Sequence, residues 1–268
     1  MADARMPQRF HELAQSLLPE EPPMGPHGGR RLLKNMVVWK VIWYVFLTNC
    51  RRKDVPPKMG CCGETARTRL LRREGEEIWD YLHQLLLATL YQQQQLHAET
   101  TMIDSTQVRA FGGGEKAGPS PVDRRKKGTK YTLFVDRDGV PLVIRAAAAN
   151  RSDHLEIPPA VANYPEVKGK RGRPRSHPAR LYADAGYDCE ATRAVLRWLG
   201  VETHIRKRGH AHGSHLEKVR WVVERSISWL IGLRRMRVRY DRLGMMIDGW
   251  TTIAAAVACC EILRETVT

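Results

Sequence analysis

The sequence has no Cys-x-x-Cys spacing anywhere. Its six cysteines are Cys50, Cys189 and two adjacent pairs, Cys61-Cys62 and Cys259-Cys260, which suits neither a four-cysteine zinc site nor a disulfide framework. The first residues, MADARMPQRFHELAQ, lack the charged start and apolar stretch of a secretory signal. Reduced thiols in a cytoplasmic protein are therefore expected. No apolar run approaches the ~20 residues that cross a bilayer. The most apolar, residues 36–48 (MVVWKVIWYVFLT), contains Lys40 and reads as a buried helix. No basic amphipathic helix stands out, so no membrane partner is expected, and no internal repeat is visible.

Acidic residues are the minority. Against 44 Lys+Arg stand 29 Asp+Glu, a formal charge of +15 on 268 residues. Residues 1–100 hold 14 basic and 11 acidic groups, net +3; residues 101–268 hold 30 and 18, net +12. A field of that sign attracts phosphate backbones, so nucleic acid is the partner the composition suggests. Apolar residues make up 43%, enough for a proper core and too many for global disorder.

Residues 1–95 read as an all-α region. Residues 30–49 are apolar on nearly every face and end before Pro56-Pro57, which forbid continuation. Residues 64–90 form one or two helices broken near Gly75. Arg67, Arg69, Arg72 and Arg73 lie there, and two readings stay open: a helix-turn-helix that lays them on DNA, or a bundle with a solvated basic face.

Residues 96–268 change character. Residues 101–108 (TMIDSTQV), 130–135 (KYTLFV), 140–145 (VPLVIR), 180–183 (RLYA) and 201–205 read as strands. Asp138-Gly139 is a hairpin signal. Short helices fall at 153–161 and 190–199, longer ones at 215–232 and 245–264. Hairpin strands followed by strands alternating with helices make an α/β fold, a mixed sheet flanked by helices. The glycine-rich stretch 110–122 precedes no helix and so is no phosphate-binding loop. It reads as a mobile loop.

Three acids resist a structural role. Asp104 interrupts an apolar strand, Asp184 ends another, and Glu224 follows Arg220 by one helical turn in HLEKVRWVVERSISWLIGL. A carboxylate at the end of a core strand is costly unless paired or bound to metal. Two Asp and a Glu brought together would repel each other without a cation, and with Mg²⁺ they make an all-oxygen site suited to phosphodiester chemistry.

Ile103-Asp104-Ser105-Thr106, the basic stretch 123–130 (DRRKKGTK), Ala183-Asp184-Ala185-Gly186-Tyr187-Asp188, and Val223-Glu224-Arg225 with Arg234-Arg235 occur in this order. Together they resemble the motifs of bacterial insertion-sequence transposases of the DDE type, the insertion-sequence-five group. Residues 49–59 resemble that family's helical N-terminal region, although Arg51-Arg52 stand where many relatives have Pro-Trp. The resemblance implies a ribonuclease-H-like catalytic domain, two-metal DNA cleavage and strand transfer, and Mg²⁺, or Mn²⁺ in its place. Asp104, Asp184 and Glu224 would be both catalytic residues and metal ligands. It further implies double-stranded DNA as partner (terminal repeats and target), a homodimer on DNA, and a cytoplasmic bacterial setting. A DNA-binding relic or repressor without catalysis, and a nuclease that never joins ends, remain alternatives.

Other motifs carry smaller expectations. Arg124, Arg125, Lys126, Lys127, Lys130, Arg225, Arg234 and Arg235 are expected to grip DNA. So are Arg171, Arg173 and Arg175, in a segment with the Gly-Arg-Pro core of an AT-hook. His210, His212 and His215 form an HxHxxH cluster better read as a loop than as a zinc site. Trp39, Trp43, Trp198, Trp221 and Trp229 sit at helical apolar positions and are expected in the core.

Overall fold

In the computed structural model the chain is described at residues 6–20, 32–166, 176–207 and 215–265. The strands are β1 (Thr100–Ala110), β2 (Gly118–Pro119), β3 (Lys127–Asp136), β4 (Pro141–Ala148), β5 (Arg180–Ala183), β6 (Glu202–Ile205) and β7 (Val238–Arg239). β3 pairs antiparallel with β1 and β4, while β5 pairs parallel with β1 and β6. The main order is thus β4-β3-β1-β5-β6, with β2 on the start of β3 and β7 on the end of β1. This is the mixed sheet flanked by helices that the sequence leads one to expect.

The helices are α1 (Gln8–Leu17), α2 (Asn35–Thr48), α3 (Gly63–Gly75), α4 (Ile78–Gln92), α5 (Ile157–Ala162), α6 (Glu190–Trp198), α7 (His215–Gly232), α8 (Arg234–Arg237) and α9 (Gly244–Glu265). Side chains alternate along β1. Ile103 joins a core with Ile157 of α5 and Leu196 of α6. Met102 faces the other way, into a larger core with Val223 of α7 and Trp250 of α9. That larger core continues into the N-terminal helices through Phe10, Trp39 and Trp79, and the rings of Trp39 and Trp79 stack 5.0 Å apart.

α9 is long and apolar enough to cross a membrane by composition, a feature the sequence reading missed. It is instead a core helix, buried against α4, α3 and β4. Among the described residues the six cysteines are free thiols.

Three expectations need correction. The α3 arginines are largely committed to partners: Arg73 is buried and bonds Glu76 and Asn35, Arg69 bonds Asn35, Arg67 pairs with Glu64, and Arg72, which stays exposed, pairs with Glu76. α4 in turn spends its apolar side on the core, so the pair is part of a bundle. Trp198 is 84% exposed, and Trp221 is exposed too, because both project from the outer sides of their helices. The loop after β1 is clamped: buried Arg239 donates to the carbonyls of Gly113 (2.8 Å) and Lys116 (2.9 Å).

Glu74, near the end of α3, has a buried Oε2 with no hydrogen-bond partner. Burial first, then the charges of Asp80 and Asp248, push its pKa up to about 8. The folded state therefore holds this proton more tightly than the unfolded chain does, and stability falls as pH rises from about 5 through about 8. Glu74→Gln should melt above wild type at pH 8–9 and converge with it near pH 5, as read by thermal denaturation.

Candidate active site

The site is assembled by the parallel pairing of β1 and β5. Thr100, Thr101 and Met102 stand opposite Arg180, Leu181 and Tyr182, and two residues further along each strand come Asp104 and Asp184. Asp104 points to the Met102 side of the sheet, toward α7. Asp184 caps the turn after β5, its Oδ1 accepting from the Gly186 amide at 2.8 Å. A side chain at Gly186 would be crowded, since a Cβ there would lie 3.0 Å from that oxygen and 3.2 Å from Oδ2 of Asp153.

α7 brings the third acid. Val222, Val223, Ser226 and Leu230 turn inward, which leaves Arg220 and Glu224 one turn apart on an outer stripe. Arg220 donates to Oδ2 of Asp104 at 3.2 Å and lies 3.8 Å from Oε1 of Glu224. The Ser105 amide donates to Oδ1 of Asp104 at 2.8 Å. Burial raises the Asp104 pKa, and the charge of Asp184 adds to the rise, while the Ser105 amide and Arg220 oppose it.

A second layer supports the first. Lys130 is buried and donates to Asp153 and to the carbonyl of Arg151, both at 2.5 Å. Ser105 Oγ donates to Asp153 at 3.3 Å. Tyr187 lies beneath: burial, then the charges of Asp153, Asp104 and Asp184, hold its hydroxyl in the neutral form.

Asp104, Asp184 and Glu224 all act electrostatically on Arg220, so one guanidinium serves three carboxylates. Among the described residues no three Asp, Glu, His or Cys side chains stand close enough to share an ion. Glu224 is 59% exposed and meets Asp104 only through Arg220. The donor chemistry nevertheless fits a hard divalent ion: the groups are carboxylate oxygens, and a surplus of negative charge is already met by a cationic side chain. Asp104 and Asp184 are the pair that would hold such an ion, and Glu224 lies on the helix that faces them.

The other site candidates divide. Arg124, Arg125, Lys126 and Lys127 are exposed between β2 and β3, and Arg234 is exposed at the start of α8. Arg225 is exposed, lies over the Trp221 ring and donates to the Asp138 carbonyl. Lys130 and Arg235 are corrections, because both are buried and committed. Lys130 neutralises Asp153; Arg235 bonds Asn49 and Asp241 and lies over Trp250. Arg171, Arg173, Arg175, His210, His212 and the side chain of His215 lie outside the described residues. Sequence reasoning missed Asp153, which carries no motif, and the bridging role of Arg220, which its spacing to Glu224 could have suggested.

Comparison with known proteins gives the chemistry a context. Residues 96–258 match the profile of the transposase DDE domain. A candidate transposase of insertion sequence element IS402 from Burkholderia cepacia is 39% identical over 153 residues, 57% of this chain and 72% of that protein. An uncharacterised 16.2 kDa protein of the same element in that organism is 34% identical over 123 residues, 45% of this chain and 84% of that protein. Among solved structures, the Mos1 strand transfer complex aligns with 97% of this chain and 83% of its own at 14% identity, with a TM-score of 0.35. The Mos1 mariner paired end complex with Mn aligns with 97% and 84% at 12% identity and a TM-score of 0.33. Both likenesses are too distant to carry an argument about this chain.

Removing Arg220 strips Asp104 of its only cationic partner among the described residues. Arg220→Ala should lower stability in EDTA at neutral pH by up to about 1.5–3 kcal/mol, the range for a hydrogen bond to a charged group. The deficit should shrink as pH falls and the carboxylates take up protons. Denaturant melts across pH give the test.

Proposed function

The chain belongs to the family of transposases with a DDE domain, and from that premise we propose that Asp104, Asp184 and Glu224 carry out metal-dependent cleavage and joining of DNA. It is the transposase of an insertion sequence; the finer chemistry is the proposal. The observation that carries it is the arrangement around Arg220: Asp104 in the middle of β1 accepts its hydrogen bond, Glu224 lies 3.8 Å from it, and Asp184 just past β5 adds its charge.

Asp104 and Asp184 would hold the divalent ion, Mg²⁺ or Mn²⁺, and Glu224 would complete the set. Bound there, the ion supplies the Lewis acidity that phosphodiester displacement needs. The chain supplies position. The Ser105 and Gly186 amides fix one oxygen of each aspartate, which leaves the other oxygen of each for a ligand. Lys130 and Asp153 hold the floor of the site, and Arg220, once released from Asp104, is placed to meet a phosphate.

DNA binding would rest on the exposed cations. Arg124, Arg125, Lys126 and Lys127 form one patch, with Arg225 and Arg234 on the α7–α8 side; their role is to contact phosphates, which positions DNA without reading it. Arg171, Arg173 and Arg175 have the composition for the same task. We assign residues 1–95 to DNA binding or assembly and residues 96–268 to catalysis. A homodimer would hold both element ends, in the bacterial cytoplasm.

The test uses DNA carrying the element's own ends. Wild type should cut and join with Mg²⁺, whereas Asp184→Asn should lose both by about a thousandfold or more and keep DNA binding. Cutting without joined product would make the protein a nuclease. Binding without cutting in either Mg²⁺ or Mn²⁺ would make it a DNA-binding relic.

A further inference from the structure

A second place on the surface is built for contact and has no part in the site above. Phe111, just past the end of β1, and Tyr240, just past β7, stack with ring centroids 5.8 Å apart and planes 16° from parallel. Both rings face solvent, 61% and 52% exposed, and the guanidinium of Arg109 lies 5.7 Å from the Phe111 ring centre. Phe111 is seven residues beyond Asp104, roughly 23 Å along an extended strand.

The pair is held rigidly although it lies outside the core. Gly112 lets the chain cross Tyr240 so closely that a Cβ would stand 2.3 Å from the Tyr240 carbonyl oxygen. The Glu115 amide donates to the Arg242 carbonyl at 2.9 Å, and buried Arg239 ties Gly113 to the same segment. Two apolar rings fixed in the open forgo the burial that normally stabilises such residues.

Tyr240 also lines a groove of about 660 Å³ that runs to the end of α2, where Arg51, Arg52 and Lys53 form one wall. Of the acids on or beside that groove, Asp241 is spent on Arg235, Glu64 is shared between Arg52 and Arg67, and Asp54 pairs with Arg51 at 2.6 Å, which leaves Lys53 and the shared arginines in excess. The balance is cationic. A flat aromatic face beside a cationic groove is what a nucleic-acid strand with an unstacked base needs: one part takes the base, the other the phosphates.

We propose that Phe111 and Tyr240 form a stacking platform for an unpaired DNA base, with its flanking phosphates in the Arg51–Lys53 groove. The proposal rests on the reading of DNA as substrate, but not on the three acids or on a metal. It is tested with the full chain in EDTA, where no metal-dependent cutting intervenes. Two probes are compared: a duplex with one unpaired 2-aminopurine, and the same duplex fully paired.

Wild type should bind the unpaired probe more tightly and quench its fluorescence. Phe111→Ala and Tyr240→Ala should cut affinity for the unpaired probe about tenfold, leave the paired probe within about twofold, and keep the wild-type melting temperature. Phe111→Trp should restore both affinity and quenching. Equal affinity of wild type for the two probes, or equal loss on both in the alanine variants, would overturn the platform alone. Binding to neither probe by wild type would overturn the DNA reading with it.

Discussion

Two aspartates at neighbouring positions on parallel strands cannot both be charged, half-buried and unaccompanied. This electrostatic constraint organises the middle of the molecule. Each carboxylate gives one oxygen to a backbone amide, Ser105 for Asp104 and Gly186 for Asp184, and Arg220 supplies positive charge from α7. Lys130 does the same one layer down for Asp153. Two buried or half-buried cations thus stand against four acids, and the remaining negative charge is what an oxygen-preferring divalent ion would take up.

The sheet makes that constraint hard to avoid. β1 is held on one side by nine residue pairs with β3 and on the other by the short parallel register with β5. A slip of one residue would turn Asp104 toward Ile157 and Leu196 and push Ile103 to the α7 side. The apolar alternation of β1 therefore fixes the direction of its one acid, and the packing of Val222 and Val223 fixes which stripe of α7 faces it. Neither depends on the N-terminal helices directly, but those helices complete the core behind α9.

The parts legible in the sequence were those in which a charged residue breaks an apolar pattern. Asp104 in TMIDSTQV and Asp184 after RLYA stand out because their neighbours need burial and they do not. Fold class and the strand and helix positions followed from the same periodicity. Lys130 and Arg235 were misread because a cation within a basic run looks alike whether its partner is solvent, phosphate or a buried acid. The partners are remote or unmarked: Asp153 is 23 residues from Lys130, and the Asn49–Asp241–Trp250 surroundings of Arg235 join three separate stretches. Trp198 and Trp221 show the converse, since helical spacing says which residues share a face and not whether a neighbour covers it. Phe111, hidden in a glycine-rich stretch that reads as loose, stacks on Tyr240, and the stretch just after it is tied down by Arg239.

The charge distribution couples the two ligands of the proposed reaction. The chain carries +15 overall, yet Asp104, Asp184 and Glu224, the carboxylates proposed for catalysis, form a local negative pole that repels a phosphodiester. DNA drawn in by the outer cations would be stable at that pole only when the acids are neutralised, and an Arg220 shared with Asp104 offers phosphate only part of its charge. A divalent ion on the acids frees Arg220 for the backbone; phosphate held by Arg220 leaves the acids with charge for an ion. Under the proposed reaction each ligand would raise the affinity for the other, and linkage requires the two gains to be equal. The same geometry that stabilises the protein alone would therefore make binding of the proposed ion and of DNA cooperative.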